Sequence, residues 1–128
     1  MNRRTELIKK RIRLETIIEK ADRYMLLMLL LAIIGGMMNL IAVFHNNMIM
    51  PVYTNESINS TTHIAFNVPE DVNKFIYTDW IKVDRGVYMS VGDILIFYGI
   101  INTFTIVFLS IYYTFVLSRV KKKLEADV

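Results

Sequence analysis

Two long apolar stretches, each free of charge, dominate the pattern of the chain. The first is YMLLMLLLAIIGGMMNLIAVF, from Tyr24 to Phe44, and the second is ILIFYGIINTFTIVFLSIYYTFVL, from Ile94 to Leu117. A helix rises ~1.5 Å per residue, so about 20 residues cross a hydrocarbon core of ~30 Å. Both stretches reach that length, and both prolines, Pro51 and Pro69, lie between them. The expected fold is an all-α membrane protein, a two-transmembrane-helix hairpin. Its expected parts are an amphipathic basic helix over residues 1–23, a span over 24–45, a partly structured extracytoplasmic loop over 46–90, a second span over 91–117 and a basic tail over 118–128. The first stretch is too long for the apolar region of a signal peptide, and no small-x-small cleavage pattern follows it.

Outside the spans the periodicity changes. Leu7, Leu14, Ile18, Ala21 and Met25 fall on one helical face at heptad-like spacing, with Arg11 interrupting the stripe. That face suits a helix resting on the inner leaflet or continuing the span, and alternatively a short coiled-coil seam with a partner. In the middle section, Asn55 to Thr62 is polar and turn-like, His63 to Val68 alternates as a short strand does, and Pro69-Glu70-Asp71 resembles the opening of a helix running to Tyr77. Phe66, Phe75, Ile76, Tyr77, Trp80, Ile81 and Val83 are too many apolar residues for a freely solvated linker. They are expected to pack as a cap, lie at the interface as aromatic anchors, or face a partner.

Composition agrees with this picture. At 128 residues and 54% hydrophobic, the chain has more apolar surface than one small core can hide. Charge then orients it, because Lys and Arg accumulate in cytoplasmic flanks. Arg3, Arg4, Lys9, Lys10, Arg11, Arg13, Lys20 and Arg23 precede the first stretch, and Arg119, Lys121, Lys122 and Lys123 follow the second. Between them stand Lys74, Lys82 and Arg85 against Glu56, Glu70, Asp71, Asp79, Asp84 and Asp93. Both termini are therefore expected inside, which requires an even number of spans.

The residues that invite a chemical reading favour structure. Ser90 and Asp93 have the spacing of a capping box at the start of the second span; cation or proton binding by Asp93 is the functional alternative. Asn39 and Asn102 lie at similar depths counted from the outer ends of their spans and are expected to hydrogen-bond across the hairpin or to another subunit. Gly35 and Gly36, with Ala32, provide a small-residue face for close helix packing. Neither apolar stretch, 24–44 or 94–117, carries a charged residue, against the habit of proton relays and ion-coupled transporters. Without cysteine there is no disulfide or thiolate chemistry. His45 and His63 form no ligand pair at helical spacing, so no metal site is expected. No serine stands in a nucleophile-elbow context, so no catalytic residue and no cofactor is expected. Glu6, Glu15, Glu19 and Asp22 interleave the basic residues, so no nucleic-acid partner is expected either. Asn55-Glu-Ser57 and Asn59-Ser-Thr61 match the glycosylation pattern.

Two segments resemble an uncharacterised family of bacterial membrane proteins. One is Asn39-Leu-Ile-Ala-Val-Phe-His-Asn46-Asn47-Met-Ile-Met50-Pro51-Val52, similar to that family's L-N-L-x-V-x-x-N-G-G-x-M-P-V. The other is Ser90-Val91-Gly92-Asp93-Ile94-Leu95-Ile96 continuing to Gly99-Ile100, similar to its S-I-G-D-V-L-I-x-x-G-I. The resemblance covers about half the chain. Here the glycine pair is replaced by Asn47 and Met48 with an extra residue, and a basic helix stands where the family has preceding spans. The resemblance implies the hairpin architecture, implies that Met50-Pro51-Val52 and Gly92-Asp93 meet at the outer surface, and implies no chemistry. The expected function is a non-enzymatic accessory or structural subunit of a larger membrane assembly, in a bacterial or archaeal cell membrane. Its expected partners are the lipid bilayer and other membrane subunits or further copies of itself. The alternative is a holin-like pore-forming or lysis protein.

Overall fold

In the computed structural model, residues 3–55, 61–68, 75–84 and 87–126 are described. Two helices account for most of them: α1, Arg3–His45, and α2, Val91–Ala126. Each is long and apolar enough to cross a membrane, and only 11% and 6% of their most apolar windows are buried within the protein. The core helix of a soluble protein would be mostly covered at this point. Neither helix stops where its charge changes. α1 runs unbroken through residue 23, and α2 continues to Ala126, so the expected basic tail is helical.

Residues that are buried or half-buried recur with alternating steps of three and four. On α1 they are Leu14, Ile18, Ala21, Met25, Met28, Ala32, Gly35, Asn39 and Ala42. On α2 they are Gly92, Ile96, Gly99, Thr103, Ile106, Ser110, Tyr113, Leu117, Val120 and Leu124. Within each unit this is the heptad spacing of a coiled-coil seam.

The chain divides into two compact units, residues 1–29 with 101–128, and residues 30–100. In the first, Leu14, Leu117 and Val120 form the buried centre, with Leu7, Ile18, Tyr113, Val116 and Leu124 packed around it. The seam expected over residues 7 to 25 therefore finds its partner in the chain's own α2. Arg11, the break in the stripe, stays exposed and donates to Glu15 at 3.0 Å, and Lys121 from α2 approaches the same Glu15 oxygen at 3.3 Å. These cations, Arg11 foremost, hold the Glu15 carboxyl below its ordinary value.

In the second unit α1 closes with a left-handed cap. The Met48 N–H donates to the Val43 carbonyl at 2.9 Å and the Asn46 side chain to that of Ala42 at 2.7 Å, which satisfies carbonyls that the helix end leaves free. Asn47 and Met48 take φ of 54° and 63°. Glycine is the residue that adopts such angles without strain. Among the described residues four short strands follow, so the expectation of an all-α chain is corrected to mostly helical with a small sheet portion. β1, Met50–Tyr53, pairs parallel with β2, His63–Phe66, which lies within the expected strand. β3, Ile81–Asp84, pairs antiparallel with β4, Val87–Met89. Val52, Tyr53, Ile64, Phe66, Ile81, Val83, Val87 and Tyr88 supply the β-branched and aromatic residues that strands favour. Residues 75–77 form one 3₁₀ turn; the helix expected from Pro69 lies otherwise outside the described residues, as do most of the two glycosylation patterns. Met50, Pro51 and Val52 are buried, and the Thr54 hydroxyl meets that of Tyr88 at 2.6 Å, tying β1 to the β3–β4 hairpin.

Candidate functional site

The start of α2 is built as the capping-box spacing anticipates. The Asp93 N–H donates to Ser90 Oγ and the Ser90 N–H to Asp93 Oδ2, each at 2.9 Å. This reciprocal pair satisfies two donors at a helix start and sets a carboxylate against the positive end of the helix dipole. Ser90 is fully buried, so the box is an interior feature rather than a surface cap.

Asn39 of α1 completes it. Its Nδ2 donates to Asp93 Oδ1 at 2.7 Å, and its Oδ1 accepts from the Ser90 hydroxyl at 2.7 Å, with Asp93 Oδ2 3.0 Å from the same hydroxyl. The Asn39 amide is thus taken up by the α2 start. The expected bond to Asn102, which belongs to the other unit, is not the one it makes.

Close approach of the two backbones makes this reach possible. A Cβ on Gly92 would collide with Asn39 Oδ1 and stand 2.6 Å from the Gly35 carbonyl. One on Gly35 would overlap the Gly92 carbonyl and lie 3.0 Å from Ile96 N. At Gly36 a Cβ would meet nothing within 4 Å. Of the expected glycine pair, Gly35 alone sits at the crossing, and its counterpart is Gly92 rather than a neighbour on its own helix.

The cap adds a residue that sequence reasoning passed over. Asp79 pairs with β1 through its backbone, donating to the Pro51 carbonyl at 3.0 Å and accepting from the Tyr53 N–H at 2.7 Å. The residue is 5% exposed; its carboxyl faces that of Asp93 and lies 3.7 Å, Oδ2 to Nε2, from His63 of β2. Its Oδ1 has no hydrogen-bond partner among the described residues. Burial pushes the Asp79 carboxyl from its ordinary 3.8 to about 7, and the charge and hydrogen bond of Asp93 push the same way. A buried carboxyl beside a second one retains its proton because both cannot ionise cheaply at short range. Asp79 thus lies between the segments Met50–Val52 and Gly92–Asp93. Nothing local in the sequence marks Asp79; its place follows from a bridge to Val52.

Asn39, Ser90, Asp93 and Asp79 thus make a buried polar latch drawn from α1, the start of α2 and the cap. Chemically it can hold and release one proton between two carboxyl groups. Among the described residues no group of three or more His, Asp and Glu is arranged to hold a metal ion. His45 lies apart, with Nδ1 at 2.9 Å from the Ile41 carbonyl. No family model, curated protein or solved structure matches the chain.

Proposed function

We propose that the chain is an integral membrane protein with both termini in the cytoplasm and residues 46–90 outside. We further propose that it serves as a non-enzymatic structural or accessory subunit of a larger membrane assembly. The observation that carries this reading is a mismatch inside the first unit. Leu14 packs with Leu117, so the apolar α2 residues Phe108, Ile111, Tyr112 and Phe115 run beside the charged stretch of α1 from Arg13 to Arg23. Phe108, Ile111 and Tyr112 are 70%, 62% and 60% exposed. Asp22 shares a groove of about 510 Å³ with Ile111, Phe115, Ser110 and Thr114. Lipid covers apolar side chains but serves an acid and hydroxyls at the same level poorly, whereas a neighbouring helix covers both. The ordered latch adds support, because a polar cluster used up in holding a cap to a helix pair is what a scaffold requires.

Topology is tested on the cysteine-free chain with single substitutions at Thr5, Asn55 or Glu125. An impermeant maleimide applied to intact cells is expected to label Asn55→Cys alone. Labelling of Thr5→Cys or Glu125→Cys overturns the orientation, and a chain that stays in solution without detergent overturns the membrane reading. Purification in mild detergent is expected to recover a complex. A lone monomer that collapses the membrane potential on induction favours the holin-like alternative.

A further inference from the structure

On the flank of the seam opposite Asp22, a second groove of about 490 Å³ is lined by Lys9, Lys10, Arg13, Leu14 and Ile17 of α1 and by Tyr113 of α2. We infer that this groove binds one anionic phospholipid of the inner leaflet, its phosphate on Lys9, Lys10 and Arg13 and an acyl chain along Ile17 and Tyr113. The inference rests on the membrane reading above.

Three observations carry it. The first is unanswered charge. Three cations of α1 and α2 have acidic partners: Arg11 and Lys121 share Glu15, and Arg23 holds Glu19 at 2.6 Å. Among the described residues Lys9, Lys10 and Arg13 have no ion pair, and no acid lines the groove. The second is polarity along the groove. Lys9 and Lys10 stand at its cytoplasmic end, and Ile17 lies ~10 Å nearer the membrane at ~1.5 Å per residue. Cations at one end and an apolar floor at the other match the head-to-tail order of a phospholipid, and neither a free phosphate nor a soluble acidic peptide needs that floor. The third is Tyr113, whose apolar ring and polar hydroxyl suit the interfacial level that such a lipid would occupy. Basic pockets between helices on the cytoplasmic side are suited to anionic headgroups.

The test uses the full chain in dodecyl maltoside, titrated with dioleoyl phosphatidylglycerol or dioleoyl phosphatidylcholine and read by native mass spectrometry. One phosphatidylglycerol per chain is expected to be retained at lipid concentrations where phosphatidylcholine is not. Each basic residue neutralised is expected to weaken retention roughly fivefold, as one charge near an anionic surface does, so Lys9→Gln/Lys10→Gln/Arg13→Gln loses it. A charge-matched control, Lys20→Gln/Lys122→Gln/Lys123→Gln, is expected to retain the lipid. Tyr113→Ala is expected to weaken phosphatidylglycerol retention with all three cations intact. Equal retention by the groove variant and the control, or no preference for phosphatidylglycerol over phosphatidylcholine, overturns the proposal. Full displacement by millimolar inorganic phosphate overturns the lipid in favour of a simple anion. A chain that needs detergent yet shows no lipid preference defeats this inference alone; one soluble without detergent defeats the membrane reading beneath it.

Discussion

Replacing Asp79 by asparagine should remove a pH dependence built into the cap. The buried carboxyl keeps its proton up to about pH 7, whereas in an opened cap it would titrate near its ordinary 3.8. Below pH ~4 both states are protonated and the contact with Asp93 is intact. Between those two values the closed cap holds a proton that the opened cap has released, so stability falls as pH rises. Above about 7 both states are ionised and the loss is complete. A tenfold difference in proton affinity between the closed and opened cap is worth ~1.4 kcal/mol, so the cap should lose on the order of 4 kcal/mol across this window. The asparagine amide cannot ionise, yet it keeps a donor for Asp93 and an acceptor of similar shape. The variant should therefore match the parent near pH 4 and exceed it at pH 8 by up to the same ~4 kcal/mol.

Trp80, the only tryptophan and the neighbour of Asp79, offers the readout. Its emission can follow cap opening in micelles from pH 4 to 8.5. Exchange of the Tyr53 amide, which donates to the Asp79 carbonyl, gives an independent measure once corrected for intrinsic base catalysis. Two other titratable groups face Asp79, His63 from β2 and Asp93 from α2, so the comparison is repeated with His63→Gln to separate imidazole titration from the carboxyl. A parent cap that is tighter at pH 8 than at pH 5, or an Asp79→Asn variant with the parent's slope, would refute the reasoning.

The remaining predictions concern the helix crossing. Gly92→Ala should force the backbones apart and break the Asn39 bonds, at roughly 1–3 kcal/mol as for other overpacked sites. Gly36→Ala should be neutral or stabilising by up to ~1 kcal/mol, and thermal unfolding in detergent that ranks the two glycines the other way would contradict the observed crossing. Asn39→Leu leaves Ser90 and Asp93 short of a buried partner and should cost ~1–3 kcal/mol, seen as a lowered melting temperature; an unchanged one counts against the latch. Met48→Gly, at a left-handed residue, should stabilise by ~0.4–1 kcal/mol in the same assay, whereas destabilisation would deny the left-handed cap.

Much of this was legible in the sequence, for reasons that differ by element. The two long helices were legible as uncharged apolar stretches of bilayer length, a pattern carried by every residue of each stretch. The Ser90–Asp93 box is local, four residues that satisfy one another. The seam was visible only from Leu7 to Met25, where polar residues outline it. Further along α1, Leu26, Leu27 and Leu30 are as apolar as the seam residues beside them, so periodicity has no contrast. Asn39 was singled out as a helix-packing residue, but the partner expected for it was Asn102 rather than Ser90 and Asp93. Counting depth from the ends of two apolar stretches assumes that they start level, and the packing of Asn39 on Ser90 and Asp93 shows another alignment. Asp79 escaped altogether, since its position depends on pairing with a strand 27 residues earlier, and that pairing leaves no trace in the neighbouring sequence.

The placement of polar residues on the seam has a physical logic. A heptad seam of small and aliphatic residues is nearly indifferent to a slip of seven positions, because each knob meets an equivalent hole. In lipid this indifference is sharper, since apolar side chains gain little by leaving the hydrocarbon and association depends on close packing and hydrogen bonds. A polar residue on the seam removes the degeneracy, because only one alignment gives it partners. Asn39 does so in one unit, where only the register that brings Ser90 and Asp93 opposite satisfies its amide. In the other, Arg11 sits at a seam position and engages Glu15, which also meets Lys121. That surface network is worth little energy, and a seven-residue slip would still separate Glu15 from Lys121. Asn39 carries more weight, because its partners are buried and a slipped alignment would leave them unsatisfied. The latch therefore specifies the alignment of the helices first, and the proton on Asp79 governs how firmly the cap closes over it.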